Sequence, residues 1–265
     1  VQWGLGEIRG RKKSTIRKCL EPFIVPIERK ANAIVAYSTE GKRYYENIGI
    51  PNNKIFVAVN VVDTDKRMSE IEHFDKLKRG DNKLVKSKFK ILFVGALEEN
   101  KNIEMLINAF ASMQSKFDDT ELHIIGDGAH RLALERIITS KGIDSSVTFH
   151  GRIHGALINT INDMDVFVMP GLGGLAVSDM LCHGIPVICG IGDGCEADLI
   201  NDKNGIIDDA LDEKKLVRYL SQLKQSPDLL SEMKVNAKQT ILTYNISNYI
   251  ERINAALRCA VEEKQ

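Results

Sequence analysis

Apolar and polar residues fall in repeating blocks along this chain. Short apolar runs bounded by glycine or charged loops alternate with longer segments whose apolar positions recur every three or four residues. The runs are Ala33–Tyr37, Ile55–Val59, Ile91–Val94, Leu122–Ile125, Val147–Phe149, Val166–Val168 and Asn204–Ile207, with a further strand after Pro186. Runs of this kind predict strands buried on both faces. The periodic segments predict helices over 39–48, 103–116, 129–141, 155–163, 175–183, 212–224, 227–242 and 247–262. Ser38 is placed to cap the first of these, and Ile103, Leu106, Ile107 and Phe110 share one face of the second. Residues 15–30 also have helical spacing, but Pro22 and Pro26 predict a kink or break there. The charge-dense stretch 64–88 reads as a linker with at most one exposed helix. Strands alternating with helices predict an α/β fold, with a parallel sheet and right-handed crossovers.

Ligands of such sheets sit beyond the carboxyl ends of the strands. The loops at 95–102, 126–128, 150–154, 171–175 and 190–196 should therefore share one edge. The stretch 164–190 is the most telling. Val166–Val168 ends at Pro170, and Gly171, Gly173 and Gly174 follow with no Cβ to hold a ligand away from the backbone. A helix then starts near Leu175 and stops at Gly184 and Pro186. Free N–H groups at such a start suit a phosphate. Asp179, in the first turns, leans back toward that end. A carboxylate there repels phosphate but accepts hydrogen bonds from a sugar diol beside it. GLGGLA and GIGDGC resemble pieces of a dinucleotide fingerprint, but neither has its full spacing.

Composition narrows the function classes. Lys plus Arg and Asp plus Glu both number 36, so no net charge draws the chain to nucleic acid. No apolar run approaches the roughly 18 residues that span a membrane, and no signal peptide is visible. Five cysteines without a CxxC pair read as free thiols in a reducing, cytoplasmic compartment. No His/Cys spacing fits a zinc site. The cationic stretch Arg9–Lys18 reads either as a solvated loop or as a patch facing anionic lipid, at the inner face of a membrane.

The ordered set ANAIVAYSTEG, VAVNVVD, ILFVGALEENKNIEMLINAF, LHIIGDGAHRLALE, VTFHGRI, MDVFVMP, GLAVSDMLCHGIPVI and LINDKNGII resembles glycosyltransferase family 4. That is a large retaining group with the GT-B fold. The opening WGLG is similar to a WGHG stretch of envelope-polysaccharide members, with Leu5 in place of the histidine. The resemblance implies two Rossmann-like domains facing across a cleft. Residues 1–66 would be the remnant of a truncated N-terminal acceptor domain plus linker. Residues 67–242 would form the nucleotide-sugar domain, and 243–265 a helix returning to the N-terminal side. A chain that begins at Val1 in what looks like mid-domain leads us to expect a missing N-terminal part.

The resemblance also assigns roles. Lys101 matches the lysine that binds the donor diphosphate, where a fixed cation stabilises the leaving charge. The arginine usually paired with it falls at Ala96, and Arg152 is a candidate substitute. The Glu-x7-Glu pair of the family maps onto Gly171 and Asp179. The acid that contacts the donor sugar is therefore absent, and Asp179 would hold the ribose. Gly95, Gly173, Gly174 and Leu175 would give backbone approach to phosphates or sugar. Arg152 and Ile153 lie where the family lays the base. Glu196 either contacts base or sugar, or caps the helix that follows. His154 and His183 read as structural, and His150 stays open.

The implied activity is hexosyl transfer from a UDP- or GDP-sugar to a glycan or lipid-linked acceptor in cell-envelope polysaccharide synthesis. No metal or cofactor beyond the donor is implied. A non-catalytic nucleotide-sugar-binding fragment or subunit is the competing reading. An NAD-dependent enzyme would need a complete glycine fingerprint followed by an acid.

Overall fold

The computed structural model describes residues 1–4, 15–78, 88–153, 158–171, 173–190, 192 and 194–262, and only the backbone of 15–18 and 78. Leu5, His154 and the side chains of the basic stretch 9–18 lie outside the described residues. Strands β1 (Gln2–Gly4), β2 (Ile34–Ala36) and β3 (Ile55–Val57) form a parallel sheet in that order. Helix α1 (Thr15–Glu28) joins β1 to β2, and α2 (Thr39–Asn47) joins β2 to β3. Ser38 caps α2 as its sequence position predicts, its Oγ accepting the Gly41 N–H at 3.0 Å. Of the expected kink or break, no break occurs: α1 runs as one helix through Pro22 and Pro26. Leu20, Phe23 and Ile27 are exposed on it. Carbonyls freed by the prolines on an exposed helix can bond water, which lowers the penalty.

The larger sheet holds β4 (Phe89–Val94), β5 (Thr120–Ile125), β6 (Val147–Gly151), β7 (Val166–Met169), β8 (Val187–Cys189) and β9 (Gly205–Ile207). All pair in parallel, in the order β6-β5-β4-β7-β8-β9. The central register sets Ile91 beside both Leu122 and Val166, and Phe167 beside Val187. These residues are fully buried, as continuous apolar runs require. The chain order reverses between β4 and β7. Loops leaving those two strands therefore turn to opposite faces and leave a crevice between them.

Helices cover both faces. On one, α4 (Ile103–Gln114) packs beside α5 (Arg131–Lys141) and α9 (Glu213–Gln225). On the other, α3 (Thr64–Lys78) packs beside α6 (Ile158–Ile161) and α7 (Ala176–Cys182), and α7 beside α10 (Pro227–Thr243). Helix α3 corrects the reading of 64–88 as an exposed linker. Ile71 and Phe74 are buried in the main core, with Met68 packed against it. One narrow apolar stripe suffices for a helix that touches the core along only one side. A short helix α8 (Glu196–Leu199) follows β8, and α11 (Ile246–Glu262) closes the chain. Ala256 of α11 packs on Ala33, Val35 and Ala58.

The turn before β9 is held by Asn204, which is fully buried. Its Oδ1 accepts the Asn201 N–H at 2.8 Å, and its Nδ2 donates to Leu199 O at 2.9 Å and Thr240 Oγ1 at 2.7 Å. Asn204→Ala should cost about 2 kcal/mol, because it strands buried backbone groups. Urea unfolding at neutral pH measures it. A change under about 0.5 kcal/mol would show that water replaces the amide.

Candidate functional site

The site forms at the carboxyl edge of the large sheet, where the order reverses. After β4 the backbone passes Gly95 and the buried Leu97 and closes a 3₁₀ turn, Glu99–Lys101. Asn102 then takes a left-handed conformation (φ 52°) and starts α4. After β7 comes Gly171. A Cβ there would collide with the carbonyl oxygen of Asn100 and lie 2.7 Å from the Cα of Lys101. The backbones of the two loops thus touch across the crevice. This contact brings Lys101 to the glycine turn, although they are 70 residues apart in sequence (171 − 101).

The far side of the turn meets the loop after β8. A Cβ on Gly173 would press on the Glu196 side chain, 2.8 Å from its Cδ. Glu196 is buried, and its Oε2 accepts the Gly194 N–H at 3.0 Å. Its carboxylate lies between Gly173 and Gly192, turned onto the glycine backbone at the start of α8. Gly174 differs: a Cβ there would meet nothing within 4 Å, so this part of the turn faces open space. Leu175, half exposed, follows it.

Asp179 sits in the first turn of α7 and is 9% exposed. Arg67 of α3 grips it, with Nε 2.6 Å from Oδ1 in an ion pair and Nη2 donating to Oδ2 at 3.2 Å. Burial pushes the Asp179 carboxyl up from its ordinary value, Arg67 opposes that, and Glu70 adds to it. His183, one turn on, has a fully buried side chain with its Nε2 3.9 Å from Asp179 Oδ1. Neither ring nitrogen has a hydrogen-bond partner. Burial, with Arg67 and Lys238 nearby, pushes His183 down to about 3. It is therefore neutral and forms no ion pair with Asp179.

The remaining candidates are more dispersed. Gly95 stands at the end of β4, its N–H donating to Ile125 O at 3.0 Å. Arg152 and Ile153 follow β6, the edge strand; Arg152 is exposed and Ile153 packs on the core. Three ladder spacings, about 14 Å, separate β6 from the strand that carries the glycine turn. The geometry thus joins Lys101, Gly171, Gly173 and Glu196 directly, and ties Asp179 to Arg67. It leaves Arg152 at the rim. His150 Nε2 lies 3.0 Å from His123 Nδ1, away from the glycine turn on β6 and β5. Among the described residues, no group of three or more His, Cys, Asp or Glu is placed to hold a metal ion.

Arg67 is the residue that sequence reading missed. Its only local signal was a weak apolar stripe in a charged helix. Its partner lies 112 positions away.

Known proteins give the arrangement a context. The sequence model described as "Glycosyl transferases group 1" matches residues 74–240. The alpha-monoglucosyldiacylglycerol synthase of Acholeplasma laidlawii is 26% identical over 160 residues, 59% of this chain and 40% of that protein. A GDP-mannose-dependent alpha-(1-6)-phosphatidylinositol monomannoside mannosyltransferase of Mycolicibacterium smegmatis is 26% identical over 57% of this chain and 43% of its own length. The chain thus matches less than half the length of either relative. Among solved structures, Anabaena Alr3699/HepE in complex with UDP superposes with a TM-score of 0.75 at 15% identity, covering 97% of this chain and 71% of that one. The family match spans the sheet from α3 to α10 and includes every loop at its carboxyl edge, and on that ground the chain belongs to the group 1 glycosyl transferases.

Proposed function

We propose that this chain is the donor-binding part of a retaining family 4 transferase, which moves a hexose from a UDP- or GDP-sugar to a glycan or lipid-linked acceptor. The single observation that carries this reading is the contact of the Lys101 loop with the glycine turn at Gly171. It sets the loop that carries Lys101 against the turn that opens at Gly174. In this reading the Lys101 ammonium meets the charge that develops on the leaving diphosphate. The N–H groups of Gly174 and Leu175 add to it, and Asp179 receives the ribose hydroxyls. The acceptor hydroxyl attacks from the face the diphosphate leaves. No metal or further cofactor is needed for the charge to be met. Residues 1–66 are then the end of an acceptor domain with its linker, 67–242 the donor domain, and 243–265 the returning helix.

Calorimetric titration with UDP, GDP, ADP and NAD tests the reading and identifies the base. We expect binding of UDP or GDP alone. Lys101→Ala should weaken the diphosphate about tenfold while leaving the nucleoside nearly unchanged. Asp179→Ala should weaken both, through the ribose. Unchanged affinity in both variants would overturn the site as drawn.

A second reading, a nucleotide-sugar binder without turnover, is favoured by Ala96 and Gly171, where the family carries charge. Ala96 is exposed, so that loop has room for a longer side chain, whereas Gly171 has none. A sugar-nucleotide hydrolysis or transfer assay separates the two readings.

Peripheral membrane contact belongs to the same proposal. Among the described residues no helix is long and apolar enough to cross a membrane. Helix α1 nevertheless exposes Leu20, Phe23 and Ile27 directly after the cationic stretch. Sedimentation with anionic vesicles should carry the chain down at low salt, and Phe23→Asp should release it. Equal sedimentation of both proteins would argue against contact through α1.

A further inference from the structure

Helix α3 does more than cover the sheet. With the start of α6 it walls a cavity of about 670 Å³ that includes Val62, Arg67, Phe74, Ile158 and Asn159. The segment leading into it is fastened to α7, since the Val62 N–H donates to Ser178 Oγ at 3.1 Å, one residue before Asp179. Arg67 then spans the gap. Nε and Nη2 engage the two oxygens of Asp179, and Nη1 donates to Glu70 Oε2 at 2.8 Å. The guanidinium is held from behind by one carboxylate and holds the other in front. Its side chain is 24% exposed and also lines the cavity.

We propose that Arg67 is a positioning residue for Asp179, fixing its carboxylate so that Oδ2 accepts a hydroxyl of the donor ribose. This rests on the reading of Asp179 as the ribose contact. Aspartate is one methylene shorter than the family's glutamate. Unheld, it has two staggered ways to turn and less reach. A fork that binds both oxygens leaves one plane for the carboxylate. Oδ1 is buried against the guanidinium, whereas Oδ2 accepts from Nη2 and keeps a second lone-pair site. Burial pushes the Asp179 carboxyl up and the guanidinium opposes that, favouring the ionised form, which only accepts.

The test is discrimination between ribose and deoxyribose. The chain is titrated with UDP and 2′-deoxy-UDP, and with GDP and 2′-deoxy-GDP; the pair whose ribose member binds is carried forward. Wild type should prefer the ribose form by about tenfold. Arg67→Lys and Arg67→Gln should each bring that preference close to one, mainly by weakening the ribose form. A purely structural role would weaken both forms equally and leave the preference intact, which would overturn the proposal. Asp179→Asn separates the two layers of inference. If it erases the preference while both Arg67 variants keep it, the ribose reading stands and the positioning role fails. If it leaves the preference untouched, or if wild type binds neither pair, the ribose reading fails and takes the positioning role with it. Two Arg67 variants, one cationic and one neutral, guard against the misfolding of either.

Discussion

Gly171→Ala is expected to destabilise the fold by about 3 kcal/mol, at the upper end of overpacking costs, and to loosen the loop that carries Lys101. The added methyl would collide with Asn100 O and lie 2.7 Å from the carbonyl carbon and Cα of Lys101. Those are backbone atoms, so no rotamer change relieves the clash. Either β7 shifts in the middle of the sheet or the 3₁₀ turn moves outward. The second is easier, because Glu99 and Asn100 are exposed. Movement of that turn displaces Lys101, so UDP or GDP affinity should fall together with stability. Restoring the family acid through Gly171→Glu should be worse than alanine rather than a repair. Urea unfolding with parallel titration measures both effects. A Gly171→Ala protein within about 0.5 kcal/mol of wild type would show that the two loops do not pack as described.

The second large effect is a loss of stability in mild acid. His183 is pushed down to about 3 by burial, aided by Arg67 and Lys238. In the unfolded chain an ordinary histidine titrates near 6.5. Between those values the unfolded state binds a proton that the folded state refuses. Stability is therefore complete above about pH 6.5 and declines below it, by at most about 1.4 kcal/mol per pH unit for this group. His123 and His150 act in the same direction. Burial is the first cause for each, and His123 also faces His150 and Lys90, which lower it, and Glu121, which raises it. Carboxylates held low by lysines, such as Asp119 and Asp208, lose their contribution only in stronger acid. The Asp179 carboxyl, pushed up by burial, acts in the opposite direction, so the contribution of His183 between pH 7 and 5 is read as a difference between variants. His183→Leu should reduce the slope of unfolding free energy there by about 1 kcal/mol per pH unit. An unchanged slope would mean that His183 reaches solvent when protonated.

The strands of the large sheet were legible because each is a short apolar run ending at glycine or a charged loop. The alternation with amphipathic helices fixed their direction, and the reversal of order then placed the ligand edge. Ser38 was legible as a cap because its signal lies within three residues. What escaped the sequence has no local expression. Helix α3 hides three core contacts among charges, so its composition resembles that of a solvated linker. Glu196 in a glycine loop reads equally well as facing a ligand or facing its own backbone; the inward turn follows from packing against Gly173 and Gly192. The fit of Gly171 against Asn100 and Lys101 is a tertiary fact, whereas sequence comparison presents that position only as a missing acid. The prolines of α1 leave the helix unbroken, because on an exposed helix the carbonyls they free can bond water.

The tie between α3 and α7 also bears on how the molecule reaches its native state. Arg67 and Asp179 are 112 residues apart, and Val62 and Ser178 are 116 apart. Neither bond can form until β4 to β7 have been threaded into the sheet between them. Closing so long a stretch carries an entropic penalty that only the assembled core repays. The Arg67–Asp179 corner should therefore be among the last parts to set during refolding, and, in the proposed reading, nucleotide affinity should return after most of the helical signal has recovered.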